Sequence, residues 1–191
     1  PDLAGARDAA LTPANLGSAL ARALPADAIV VDEGATSSLA FGLQSQGAAP
    51  HSMLSLTGRA IGQGLPCAVG AALACPDRQV VAVQADGSAA YTLQALWTAA
   101  REGLDVVVLL CSNRAYRILQ IELGRSGIAE PGPKARALTT LDAPPLDWCA
   151  LARGFGLPGE RAHRIETLGA LVDALDVAFA ESGPHFLECA L

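Results

Sequence analysis

Residues 80–97 read VVAVQADGSAAYTLQALW: an apolar run, then an acid, a glycine and a serine, then a helical pattern. Gly87 lets the chain turn sharply and lets a ligand approach the backbone. The start of a helix offers unpaired N–H groups and a positive dipole end, which suits a phosphate. Ser88 adds a hydroxyl, and Tyr91 adds another one turn on. Asp86 is wrong for direct contact with phosphate, because two anions repel. It fits if a divalent cation lies between them. Magnesium takes hard oxygen ligands, a few from protein and the rest from phosphate and water. Asn113 follows Asp86 by 27 residues, at the end of the next apolar run. It can supply a neutral side-chain oxygen, and the carbonyl of Ala115 can supply another. Singly, each of these residues reads as an ordinary turn or loop position; the ordered combination points to a site.

The elements that would position them alternate. Thr12 and Pro13 occupy N-cap and N1 of a helix whose Leu16, Leu20, Ala23 and Leu24 share a face. Residues 28–32, 52–56, 79–84, 105–112 and 185–190 read as strands, with another after residue 159. Residues 86–88 read as a turn. Residues 65–74 read as a buried helix packed closely through Gly70, and helical faces follow at 93–100, 146–155 and 168–179. Residues 126–145, rich in Gly and Pro, read as a long loop. Continuous apolar strands alternating with helices predict an α/β fold: a three-layer αβα domain with a mostly parallel central sheet and helices on both faces. Ligands of such sheets bind beyond the carboxyl ends of the strands. The polar clusters at 32–38, 86–88 and 112–113 all fall there.

Composition narrows the class. The chain has 191 residues, 51% hydrophobic and 17% charged, with net charge −6. It is long enough for one sizeable core and too apolar for disorder. An acidic chain with no basic run excludes nucleic acid as a partner. Its apolar runs are too short for a membrane span, and PDLAGARDAA has no signal-peptide pattern. Five scattered cysteines read as reduced thiols of a cytoplasmic protein. Residues 1–10, without an initiator Met, read as a linker to something longer, and 11–191 as the domain.

Residues 85–113, ADGSAAYTLQALWTAAREGLDVVVLLCSN, resemble the thiamine-diphosphate motif, which begins GDG and ends NN one βαβ unit later. EGATSS (33–38) resembles the family's diphosphate loop, and TGRAIGQGLP (57–66) the segment beneath the thiazolium ring. The resemblance runs from Leu11 onward and is nearest to benzoylformate decarboxylase-like and acetolactate synthase large-subunit-like members. It implies that Asp86, Asn113 and the Ala115 carbonyl hold magnesium. Gly87, Ser88 and Tyr91, helped by Gly34, Ala35 and Thr36, would hold the diphosphate. Ile61 would prop the bent cofactor, and the Arg59 carbonyl would accept from its 4′-amino group. The chain departs from the pattern at Ala85, Ser112 and Arg59, where the family often has Gly, Asn and Gly.

The resemblance also implies decarboxylation of a 2-oxo acid, with release of an aldehyde or transfer of the acyl unit to a second carbonyl. It implies an activating glutamate on a pyrimidine-binding domain that this chain lacks. The chain is therefore expected to supply half an active site, to work in an oligomer, and to be inactive alone. Some acetolactate synthases carry FAD on a further domain, on which these residues are silent. Two other readings stand beside this one: a non-catalytic or regulatory diphosphate-binding module, and a flavodoxin-like domain, which would need no magnesium. GFGLPG (154–159) matches G-x-G-x-x-G but follows a helix, the reverse of the dinucleotide order, so it reads as a helix stop. His51, His163 and His185 read as isolated surface or loop residues. Arg114, Arg117 and Glu122 read most simply as solvated charges, with a ligand role left open by their position after Asn113. Glu33 reads either as a cap of the following helix or as a functional acid.

Overall fold

The computed structural model describes residues 4–191. Helix α1 (Pro13–Ala23) starts as the sequence predicts. Thr12 Oγ1 accepts the Asn15 N–H at 3.2 Å, and Asn15 Oδ1 accepts the Thr12 N–H at 2.8 Å. The reciprocal bonds satisfy two donors that a helix start would otherwise leave orphaned. Strand β1 (Ile29–Glu33), helix α2 (Leu39–Gln44), strand β2 (Ser52–Ser55) and helix α3 (Gly64–Ala74) follow. Next come β3 (Val80–Ala85), α4 (Asp86–Thr92), α5 (Ala95–Glu102) and β4 (Val106–Ser112). The remainder is α6 (Arg117–Arg125), α7 (Pro133–Leu138), α8 (Trp148–Gly154), β5 (Ala162–Ile165), α9 (Leu168–Ala180) and β6 (His185–Ala190).

The strands form one sheet in the order β2-β1-β3-β4-β6-β5, and every pairing is parallel. The sheet is thus wholly rather than mostly parallel. Successive side chains alternate between its faces. Val81, Val83, Val107, Leu109 and Leu187 meet Leu16 and Leu20 of α1, Phe41 of α2, and Leu171 and Leu175 of α9. Val80, Ala82, Val108, Leu110 and Phe186 meet Leu65 and Ala68 of α3, Leu96 of α5, and Trp148 of α8. Two apolar layers need apolar residues at every strand position, which is why the strands read as continuous runs.

Several expectations change. Residues 86–88 are the first turn of α4, not a turn between elements. The predicted loop at 126–145 contains α7, and α6 precedes it. Gly70 is exposed, and a Cβ built on it would touch nothing, so close packing is not its role. Residues read as a linker partly dock on α9: the Gly169 N–H donates to the Arg7 carbonyl at 2.8 Å, and the Leu168 N–H to the Ala9 carbonyl at 2.9 Å. Residues 1–3 of that segment lie outside the described residues. GFGLPG does end a helix, with Gly156 at φ 100°. Cys111, Cys149 and Cys189 are buried, Cys67 and Cys75 half-buried, and all five are free thiols.

His185 is buried at the start of β6, not on the surface. Burial first, and then the positive Arg161, hold its pKa below the ordinary 6.5, against the opposing charge of Glu181. The unfolded chain therefore takes up a proton near pH 6.5 that the folded chain refuses, and stability falls as pH drops from 6.5 toward the folded value. Between pH 7 and pH 5 the urea midpoint of the native chain should fall further than that of His185→Gln. Equal falls would remove His185 as the cause.

Candidate functional site

The carboxyl ends of β1, β3 and β4 lie side by side, with Glu33 in register with Gln84 and Ala85 with Cys111. Asp86, the first residue of α4, is 1% exposed. Its Oδ1 accepts the Gly87 N–H at 2.8 Å, and its Oδ2 accepts the Arg114 N–H at 2.6 Å. Burial pushes its pKa up, and the groups that offset this most are backbone N–H groups, Arg114 first. A buried carboxylate whose hydrogen-bond partners are backbone N–H groups suits a cation, which would offset the cost of burying its charge. The bond to Arg114 also fixes the chain beyond β4. Arg114 adopts φ +55°, and Asn113 Oδ1 accepts the Ala115 N–H at 3.0 Å. Asp86 and Asn113 thus sit on adjacent strand ends joined through one peptide.

Beside them opens a cavity of about 450 Å³, lined by Thr36, Ser37, Asn113, Ala115, Arg117 and Gln120 among others. The predicted residues Thr36, Asn113 and Ala115 therefore share one space. Ala35, at φ +50°, is exposed, and Gly34 is buried with its N–H on Asp32 Oδ1 at 2.9 Å. Gly87 is required for a reason the sequence does not show: a Cβ there would lie 2.7 Å from the Tyr116 ring. Tyr116 therefore covers the first turn of α4.

Ser88 faces inward. Its hydroxyl accepts from Gln84 Nε2 at 2.7 Å and lies 3.0 Å from the Ala85 carbonyl and 3.2 Å from that of Glu33. Glu33 is also buried, and it does not cap α2. Its Oε1 accepts the Gly62 N–H and its Oε2 the Gly64 N–H, both at 2.6 Å, and Gln84 Nε2 donates to Oε2 at 3.0 Å. The loop before α3 is thereby tied to the end of β1. It carries Ile61, which is 48% exposed, while Tyr91 of α4 is 56% exposed. Gly62, the residue after Ile61, lies against α4: a Cβ on it would lie 2.9 Å from that of Tyr91. The Arg59 backbone closes the 3-10 turn Thr57–Arg59 of this loop, and its side chain lies outside the described residues.

Sequence reasoning missed Tyr116, Gln84 and the lining residue Gln120. A readable signal existed for Gln84, the one polar residue within the run VVAVQA. Among the described residues, no group of three His, Cys, Asp or Glu could hold a metal by itself, and no helix is long and apolar enough to cross a membrane.

Residues 32–189 match the family model for the thiamine pyrophosphate enzyme, C-terminal TPP binding domain. Over 179 residues, 93% of this chain, the sequence is 46% identical to a Mycobacterium tuberculosis protein provisionally named acetolactate synthase large subunit IlvX, 34% of which is covered. It is 39% identical to benzoylformate decarboxylase of Pseudomonas aeruginosa over 79% of this chain and 28% of that one. Among solved structures, the Rhodococcus jostii RHA1 thiamine diphosphate-dependent 4-hydroxybenzoylformate decarboxylase superposes with a TM-score of 0.82 at 34% identity, over 95% of this chain and 33% of that one. The chain thus spans about a third of the length of these relatives. With the sheet and the matched residues in agreement, the chain belongs to the thiamine pyrophosphate enzymes, as their C-terminal TPP-binding domain.

Proposed function

We propose that this chain binds thiamine diphosphate through magnesium and forms half of the active site of a 2-oxo acid decarboxylase or carboligase. The observation that carries the reading is Asp86: a buried carboxylate whose bond to the Arg114 N–H brings Asn113 beside it. One anionic and one neutral oxygen donor suit a hard cation that completes its shell with a carbonyl such as that of Ala115, diphosphate oxygens and water. Gly87, with Gly34, Ala35 and Thr36, would face the diphosphate, with Ser88 supporting that turn from behind. Ile61 and the Arg59 carbonyl would meet the ring end, and the exposed Tyr91 would bring its hydroxyl to the diphosphate. The cofactor, when bound, supplies the electron sink for loss of carbon dioxide; the protein binds, orients and desolvates it.

The rest of the site belongs to a pyrimidine-binding domain or subunit. Leu39 and Leu43 of α2 and Trp97 of α5 are exposed, as are Ile61 and Tyr91 beside the site. Apolar surface of this kind suits coverage by such a partner in a cytoplasmic homo-oligomer. Calorimetric titration of thiamine diphosphate into the chain should give saturable heat with magnesium and none with chelator. Binding indifferent to the metal would end the proposal. The pure chain should release no carbon dioxide from 2-oxo acids, and measurable release would refute the half-site.

A further inference from the structure

The loop before α3 has little regular structure, yet one of its residues is held from two sides, through the peptide before it and the peptide after it. The Gly62 N–H donates to Glu33 Oε1 at 2.6 Å, and the Gly62 carbonyl accepts from Thr92 Oγ1 at 2.8 Å. Gly62 sits at φ +89°, a conformation open to glycine and costly for other residues. Ile61 is the residue immediately before it. Glu33 lies at the end of β1, and Thr92 is the last residue of α4, the helix that begins with Asp86. The other Glu33 oxygen takes the Gly64 N–H, at the start of α3, and the Gln84 amide. Nothing in this arrangement leaves the carboxylate pointing at a ligand. Its hydrogen bonds go to the backbone that presents Ile61.

We propose that Glu33 is a positioning residue for the ring end of the cofactor: by fixing the Gly62 peptide it sets where Ile61 stands, while leaving the metal and diphosphate end to Asp86 and Asn113. This rests on the thiamine diphosphate reading of the site. The division is physical. Asp86 and Asn113 are fixed through Gly87, Arg114 and Ala115, none of which bonds to Glu33. Losing the Glu33 carboxylate therefore loosens the ring end directly, while its one side-chain link toward α4, through Gln84 to Ser88, bonds neither Asp86 nor Asn113. Glutamine in its place keeps the shape but cannot accept both N–H groups, because one of its two terminal atoms is itself a donor.

The test compares two probes, each with magnesium: thiamine diphosphate, which has rings, and inorganic pyrophosphate, which has none. In Glu33→Gln the Kd for thiamine diphosphate should rise about tenfold, as loss of a charged hydrogen bond allows, with pyrophosphate affinity unchanged. Thr92→Val releases the same residue, Gly62, at its carbonyl without touching the buried carboxylate. It should show the same selective loss, and it decides the matter if Glu33→Gln does not fold. Equal weakening of both probes, or of neither, overturns the positioning role. So does a native chain that binds both probes equally well, since the ring end then contributes nothing. A native chain that binds neither probe overturns the cofactor reading itself, and the two failures are thus told apart.

Discussion

Replacing Asp86 with alanine is expected to raise the Kd for thiamine diphosphate in the presence of magnesium by at least about 100-fold, or roughly 2.8 kcal/mol. Asp86 is the only anion in the proposed protein set of Asp86, Asn113 and the Ala115 carbonyl. Its burial places that charge where attraction to a cation is poorly screened. A second loss compounds the first. Without the carboxylate, the Arg114 N–H has no acceptor, and the left-handed turn that presents Asn113 loses its anchor. The variant titrated with magnesium should therefore resemble the native protein titrated with chelator. Asp86→Asn keeps the shape and one acceptor, so it should fall between the two. Leaving the N–H groups of Gly87 and Arg114 unpaired costs about 1–3 kcal/mol, which a cooperative thermal transition at lower temperature would register. Native affinity in Asp86→Ala would remove the metal from the mechanism.

Gly64→Ala should destabilise the chain by about 3 kcal/mol and lower Tm by about 6–12 °C. A methyl group there would lie 2.7 Å from Glu33 Oε2 and 2.8 Å from Glu33 Cβ, and closer still to Gln84 Oε1. These atoms are buried, so the methyl forces the carboxylate away from the Gly62 and Gly64 N–H groups rather than into solvent. Gly70→Ala is the control within the same helix. Its Cβ meets nothing within 4 Å, and alanine in a helix interior is favoured over glycine by about 1 kcal/mol. One substitution in α3 should thus lower Tm and the other raise it. Parallel shifts in differential scanning calorimetry would mean that packing around Glu33 is looser than these distances require.

The readable parts of the fold were those in which one local pattern had one structural outcome. Residues 106–111 of β4 are apolar throughout because both faces of the strand are covered, and β6 spans the predicted residues because Pro184 precedes it. Thr12 and Pro13 fix the start of α1 within a few residues of chain. Asp86 and Asn113 were legible as a pair because each closes an apolar strand, and adjacent parallel strands bring their ends together. Glu33 was only half legible. An acid after a strand is visible, but the N–H groups that donate to it lie 29 and 31 residues away in a loop with no pattern of its own. Helix α6 was not read from RILQIELGR, and it buries no residue against the described core. The burial of His185 depends on its place beside Arg161 and Glu181 at the sheet, which no local window shows.

The strand order has a consequence for how the chain is made. Strands β1 to β4 assemble with neighbours already synthesised, yet β4 finds its second neighbour only in β6, beyond α6, α7, α8, β5 and α9. While that stretch emerges from the ribosome, the VVVLLC segment has an open edge of unpaired backbone N–H and C=O groups. Such an edge is a template for any other extended chain, and parallel closure over a long separation is slow. The last strand to arrive is therefore the one that turns the most aggregation-prone edge of the nascent protein into sheet interior.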